Sequence, residues 1–400
     1  MNRKAFIISL LTATLGIIGQ CYAGSIYSRH GIGLLQYRDG TKAMGLGGLS
    51  MALSDSVSIF FLNPAVLSSI SLTHLQGEFI YDWASVELAN NTGEFQDANV
   101  GGLDLIFPVR RGYALALGVH PYSRADFVFQ GSGSLPESDY AETVTGSGGL
   151  ENIYIALAGS AGKLRWGAAL DFYVGVLEQN WRVRYTSSEF RETDDFRTIK
   201  MRGLGAHGGI HATLGAFELG AALGLPVNVK TESRLQIRPS AESVGEVLNG
   251  TTKLPVWYGG SAVFHPNRKT LLGLQLRTQP WNSVSADELL GAQGSRSHNL
   301  GFGAEFIPSL NPLDGFFSKM NFRLGATHSR LPYKDIQDSN IDEYTVTAGL
   351  GLPFNRGFSR IDFAVEYGKR GISDNHPAKE TIFRFSASVN GSERWFQRRK

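Results

Sequence analysis

The run "SRIDFAVEYGKR", residues 359–370, decides the fold. Phe363, Val365 and Tyr367 alternate with Asp362, Ala364 and Glu366. A period of two puts the first three on one face of a strand and the other three on the opposite face. The pattern recurs in Phe383, Phe385, Ala387 and Val389 against Arg384, Ser386 and Ser388. It recurs again in Trp166, Ala168, Leu170, Phe172 and Val174 against Arg165, Gly167, Ala169, Asp171 and Tyr173. A soluble β-sandwich turns its large apolar residues inward and its charges outward. Here the small and charged face collects Glu78, Asp82, Asp104, Asp171, Glu218, Glu305, Arg323, Asp362, Glu366 and Arg384. Charges of both signs among glycines suit the lumen of a barrel, and an aromatic-rich face suits lipid. Leu170, Phe172, Phe363 and Phe385 are therefore predicted to face lipid, and Ala364 the lumen.

The alternation predicts about fourteen strands, an even number in the range of bacterial outer-membrane barrels. They begin near Leu72, Asn99, Tyr113, Glu151, Leu164, Thr198, Phe217, Pro255, Thr270, His298, Lys319, Glu343, Ser359 and Thr381. Connections alternate between short turns such as "PVRRG", "GSAGK", "TLGA", "HPNRK" and "PFNRG" and longer polar loops at 130–149, 186–196, 230–253, 280–297 and 331–342. The fold class is thus all-β, a transmembrane antiparallel β-barrel spanning residues 72–390, with a short tail at 391–400.

Composition supports export. Residues 1–23 read as a signal peptide: Arg3 and Lys4, an apolar run from Phe6 to Ile18, and small residues before a cleavage point after Ala23. Loss of that segment removes two of the 38 basic residues, leaving 36 against 36 acidic ones, a neutral chain with no bulk attraction to nucleic acid. The single Cys, Cys21, leaves with it, so the mature chain carries no disulfide or thiolate site. No cofactor, metal or enzymatic activity is expected. His207 and His211 in "HGGIH" are metal-spaced on a helix, but in a strand they lie about 13 Å apart. "GSAGK" lacks the leading Gly of a phosphate loop, having Leu157 there.

One stretch departs from the alternation. "SDSVSIFFLNPAVLSSI", residues 54–70, is apolar and is broken by Asn63-Pro64. Exposed in the periplasm it would be a liability, so it is predicted to plug the lumen as part of an N-terminal unit over 24–71. Ser54-Asp55 is expected to cap a short helix ending before Pro64, and Gly45, Gly47 and Gly48 to allow a tight path ahead of it.

Residues 39–70 carry a resemblance. Ala43, Met44, Gly45, Gly48, Asp55, Phe60, Phe61, Asn63, Pro64 and Ala65 resemble the N-terminal hatch of FadL-type outer-membrane transporters of long-chain fatty acids and aromatic hydrocarbons. The resemblance covers the mature chain in architecture and about thirty residues in motif, in front of a strand series of the right size. It implies a monomeric barrel in the outer membrane of a Gram-negative-type bacterium. Such a barrel is delivered by the barrel assembly machinery, contacts outer-membrane lipid and takes up a hydrophobic small-molecule ligand passively. Phe60, Phe61, Asn63, Pro64 and Ala65 then close the pathway. The tail "GSERWFQRRK" resembles instead barrels of other phyla, some of them shuttles in protein secretion, so a shuttle or structural barrel of a secretion system stands as the alternative. An apolar plug argues against a general porin.

Two further features fit the family. Pro121 lies inside the third strand, where it cannot donate to the ladder. His120-Pro121-Tyr122 either turns a strand end or, as the resemblance implies, kinks the wall to open a lateral exit. Capping boxes Ser243/Glu246 and Ser285/Glu288 predict short loop helices. One carries Val244, Val247 and Leu248 and the other Leu289 and Leu290. They either close the mouth or form an apolar capture groove.

Overall fold

The computed structural model describes residues 25–393, apart from 89–90, 136–137, 238–246, 286–287, 289, 312, 336 and 372–377. Fourteen antiparallel strands form a closed barrel. In chain order they are β1 (Thr73–Leu88), β2 (Asn91–Arg110), β3 (Tyr113–Arg124, resumed at Phe127–Leu135), β4 (Ser138–Ala161), β5 (Leu164–Tyr185), β6 (Thr193–Leu214) and β7 (Phe217–Gly224, resumed at Val227–Gln236). Then follow β8 (Val247–Leu254, resumed at Trp257–Asn267), β9 (Thr270–Pro280), β10 (Arg296–Phe306), β11 (Asn321–Lys334), β12 (Asn340–Phe354), β13 (Ser359–Arg370) and β14 (Ala378–Glu393). Closure is by β14 on β1, from Ala378 opposite Leu88 to Glu393 opposite Thr73. The last strand therefore runs past residue 390, the boundary expected from its sequence. The segments 1–24 and 394–400, and with them the expected signal peptide and most of the expected tail, lie outside the described residues.

Alternation and wall agree. Leu170 and Phe172 are exposed on the outside, and Phe363 stacks on Phe385 there. Asp104, Asp171, Arg323 and Asp362 are buried inside. Turns between β2 and β3, β4 and β5, β6 and β7, β8 and β9, and β12 and β13 are short and share one end with the start of β1 and the end of β14; this is the periplasmic end of an outer-membrane barrel. At the other end the strands are longer than the sequence suggests. Within 130–149, expected as a loop, residues 130–135 of β3 pair with 138–143 of β4. Residues 230–234 pair with 247–251 in the same way. Pro226 and Pro255 fall in the facing breaks of β7 and β8, where Gly224 pairs Trp257 and Val227 pairs Leu254. A residue without an N–H is best placed at such a missing rung.

The wall parts at a seam between β2 and β3. Pairing of β2 with β3 ends at Leu103 opposite Val119, although β2 itself continues back to Asn91. Beyond that rung β3 stays on β4, with an irregularity between Pro121 and Ser123, and bends into the lumen. Its freed edge is taken by Leu34 and Leu35, opposite Arg124 and Ser123. The Arg124 guanidinium reaches back to the Val100 carbonyl at 3.1 Å.

The N-terminal unit threads the barrel from one end to the other. A 3-10 turn at Ile26–Arg29 packs near the loop ends of β1 and β14, with Tyr27 in a cluster with Val86 and Ala378. The chain then descends through a one-turn helix, Thr41–Gly45, to Asp55 at the periplasmic mouth. It turns back through a 3-10 helix, Pro64–Ser69, and enters β1. The helix expected between Ser54 and Pro64 does not form. Asp55 is held by basic side chains rather than by a helix terminus, and helical structure starts at Pro64 instead of ending there. Asn63 Oδ1 accepts the Ala65 N–H at 3.1 Å, an N-cap with Pro in the first turn.

Candidate functional site: the hatch in the lumen

Glycine explains how the unit fits. A Cβ at Gly220 would sit 2.0 Å from the Met51 carbonyl, and one at Gly209 would sit 2.2 Å from Asn63 Oδ1. The hatch backbone lies directly on the wall, and only glycine leaves room for it. Against β10 and β11, Gly47 of the hatch, at a positive φ of 62°, comes equally close, a Cβ there falling 2.3 Å from the Phe302 carbonyl.

The hatch is held by charge. Lys42 reaches Asp55 at 2.9 Å and Glu305 at 3.6 Å. Arg360 bridges Asp55 and Asp362, both at 2.8 Å. Arg323 bridges Glu305 and Asp362, both at 2.6 Å. Three cations thus meet three carboxylates in a neutral, buried ring that joins hatch residues 42 and 55 to β10, β11 and β13. Burial alone raises the Asp55 carboxyl, but Arg360 and Lys42 outweigh it and hold it well below the usual carboxylate range. Nearer the loop end, Arg370 binds Glu343 at 2.5 Å and Glu380 at 2.7 Å, while Arg384 binds Glu343 at 3.0 Å and Asp82 at 3.1 Å. Glu380 also accepts from Ser25 Oγ at 2.7 Å and the Ile26 N–H at 2.9 Å, fixing the start of the hatch.

Polar wall side chains complete the backbone hydrogen bonding of an irregular segment that has no ladder of its own. Gln275 accepts from the Ser50 and Met51 N–H groups, both at 2.9 Å, and donates to the Gly48 carbonyl at 2.7 Å. Gln76 spans the Ile59 N–H and carbonyl at 3.0 and 3.2 Å. His207 and His211 bridge wall carboxylates to the hatch. His207 lies 2.8 Å from Asp171 and 2.8 Å from the Phe61 carbonyl, and His211 lies 3.1 Å from Glu218 and 3.2 Å from the Ala52 carbonyl. Within the hatch, Asp39 accepts the Phe61 and Leu62 N–H groups at 2.8 and 3.3 Å. Burial pushes its carboxyl up to about 6 against those hydrogen bonds.

The hatch residues singled out in the sequence come together here. Asn63 donates to the Met51 carbonyl at 2.6 Å and to the Ile210 carbonyl of β6 at 3.0 Å. Ala65 is buried, Pro64 packs on Gly167, and Phe60 is buried with Leu49, Val66, Val263 and Leu271. The Phe61 ring stacks on His120 at 4.1 Å, and Tyr154 lies 5.8 Å away. His120 and Tyr154 in turn both hold Asp104, at 2.7 and 2.8 Å. Phe61 therefore stands directly behind the β3 bend, and Tyr122 packs edge-on against Tyr173 above it.

The loop residues fall elsewhere. Val247 and Leu248 are exposed members of β8, paired with Arg234 and Ser233, not one face of a helix. Their capping box, Ser243/Glu246, lies outside the described residues. Leu290 packs against the interior cluster of Trp281, Tyr333 and Ile32 rather than lining an outer groove. Val244 and Leu289 lie outside the described residues. Sequence reasoning did not single out Lys42 within the hatch, nor Gln76, Gln275 and Arg360 as the wall residues that hold it. Their inward position on the alternating pattern is the one signal that singles out the three wall residues.

Cavities of about 80 and 70 Å3 lie beside Leu34, Gln36 and Arg38, lined also by Arg370 and Arg384. A larger hollow of about 1560 Å3 opens at the periplasmic mouth, bordered by Asp55, Ser69, Arg110, Arg111 and Arg165.

A closed barrel with an apolar exterior and a lumen-filling N-terminal unit is the fold of hatch-plugged, FadL-type outer-membrane β-barrels. Solved structures with this fold include a Pseudomonas aeruginosa FadL homologue (14% identity, TM-score 0.60, 89% of this chain and 99% of that one). They also include the Ralstonia pickettii toluene transporter TbuX (13%, 0.57, 89% and 98%) and the Pseudomonas putida toluene transporter TodX (14%, 0.59, 90% and 100%). A search of curated proteins finds no match. The family model of BamG matches residues 1–400, and the chain belongs to the BamG family.

Proposed function

We propose that this chain is a sealed outer-membrane barrel that works through its surfaces, as a component of the machinery that assembles other outer-membrane barrels. The observation that carries the reading is the clamp on the hatch. Buried ion pairs join it to β10, β11 and β13, and Gln76, Gln275, Asn63 and His207 tie its backbone to the rest of the wall. The spaces described within the lumen, about 80 and 70 Å3, are smaller than the roughly 150 Å3 cavity that holds benzene. The BamG family name, which refers to barrel assembly, supports the same role. This is the structural-barrel reading of the sequence, with barrel assembly in place of secretion.

A second reading is favoured by the seam. Phe61 and His120 stand behind the point where β2 and β3 part. The fold is that of barrels described as toluene transporters. In this reading a hydrophobic compound such as a long-chain fatty acid passes when the hatch shifts, and leaves sideways through the seam. It then never returns its methylenes to water, at about 0.8 kcal/mol each. Depletion of the chain separates the two. Assembly predicts that other outer-membrane barrels lose heat-modifiable, folded forms while uptake of labelled oleate and toluene stays normal. It also predicts that the affinity-tagged chain elutes from mild detergent in a complex with the central assembly barrel. Uptake predicts the reverse, with the chain eluting alone.

A further inference from the structure

The connection from β10 to β11, residues 307–320, is the exception among the short periplasmic turns. Leu313 is 92% exposed and Phe317 77%, the two highest values among the large hydrophobic residues described. They are not on a loose loop. The Ser309 N–H donates to the Ser318 carbonyl at 2.7 Å, closing the loop across its base. Asn311 Nδ2 donates to Asp314 at 2.9 Å, and the Leu313 N–H donates to Asn311 Oδ1 at 3.1 Å. Lys269 from the neighbouring turn donates to the Pro308 carbonyl at 2.6 Å. A polar scaffold thus holds an apolar tip outward, the reverse of what a solvated loop needs.

What covers the tip follows from where it starts. Ile307 follows Phe306 directly, and Phe306 pairs with Phe322 on the lipid-facing side of the wall. With Phe217, Phe264, Phe354 and Phe358, these residues form an aromatic belt at the periplasmic ends of the strands, the usual mark of a bilayer interface. The loop continues that belt. We infer that residues 313–317 form a membrane-dipping tip, with Leu313, Phe316 and Phe317 inserted into the inner leaflet of the outer membrane, against phospholipid acyl chains. The tip anchors the barrel's depth and rotation on the β10–β11 side.

The test uses the full mature chain, whose lack of cysteine allows single labelling. Phe317→Cys carries the environment-sensitive fluorophore NBD, and Leu313→Cys is a second site should the first variant fail to fold. Lys163→Cys, in the β4–β5 turn, is the control. The purified barrel is placed in vesicles of phosphatidylethanolamine and phosphatidylglycerol, with and without lipids carrying a shallow doxyl quencher. The expected result is blue-shifted emission at 317 or 313 and its loss with doxyl lipid, both greater than at 163. Water-like, unquenched emission at 317 and 313 overturns the inference. So does a blue shift that appears only in native membranes and not in pure vesicles, which would make the tip a contact for a protein.

Discussion

Replacing Asp55 by Asn keeps the side-chain shape but removes the hatch's negative contribution to the ion ring. Lys42 and Arg360 then lose partners at 2.9 and 2.8 Å in a site where both are nearly inaccessible. Breaking a buried pair costs about 3–5 kcal/mol because a charge is left uncompensated. Here Lys42 keeps Glu305 at 3.6 Å and Arg360 keeps Asp362 at 2.8 Å, so the lower end, about 3 kcal/mol, applies. At about 1.4 kcal/mol per tenfold, the hatch should be unseated roughly a hundred times more often. The carboxyl sits well below 3.8 in the fold. The stability it supplies is present above that value and is lost as pH falls through the lower folded one, so the effect should be constant from about pH 5 to 8. Open-channel events in planar bilayers, with limited proteolysis of the hatch in parallel, read the change, and heat-modifiable mobility confirms an intact barrel. Pairing Asp55→Leu with Arg360→Met should recover part of the loss, since an apolar replacement of a buried pair is often neutral. A variant Asp55→Asn as closed and as protease-resistant as the parent would refute the clamp.

Three other outcomes follow from the same geometry. Phe172→Arg, on the lipid face of β5, should cost about 2–4 kcal/mol in reversible folding into bilayers. Asn99→Arg, facing the lumen, should stay near 0.5 kcal/mol; equal costs would reverse the facing. Asn63→Ala strands the Met51 and Ile210 carbonyls and the Ala65 N–H, so hatch protection from hydrogen exchange should fall by about 1–3 kcal/mol while barrel protection holds. Asp39 has a folded value near 6 against 3.8 unfolded; folding then takes up a proton between about pH 4 and 6. Its contribution to stability falls by about 3 kcal/mol as pH rises through that window and is flat above it. Asp39→Asn should remove that part of the slope in a pH series of hatch proteolysis, and an unchanged slope would contradict the assignment.

How far the sequence reveals the fold depends on which end of a strand is considered. On the periplasmic side the starts read at Leu72, Tyr113, Leu164, Phe217, Thr270 and Ser359 fall within a residue of the observed ones. There the wall enters lipid at once and alternation begins sharply. On the loop side, starts read at Asn99, Glu151 and Pro255 are late by a turn or more, because the strands extend beyond the membrane. In Ser138–Gly149 both faces are polar, so the hydrophobic period vanishes although the ladder continues. Lumen and lipid faces were legible, but what fills the lumen was only partly so. Ala364 reads correctly as inward, yet it is buried beneath the hatch rather than open to water. The Asn63-Pro64 break looks like a helix end, and no local signal says that Arg360, three hundred residues away, will take Asp55. That contact exists only after closure. Nor does alternation announce that Gly220 makes room for the Met51 carbonyl of the hatch and Gly209 for the Asn63 side chain.

Single-channel recording of the purified chain beside a variant lacking residues 41–69 tests the central claim, a lumen sealed by the clamped hatch. The account predicts a silent parent and, for the deletion, an assembled barrel with stable open-channel conductance for polar ions. A parent that conducts as freely as the deleted variant would contradict it.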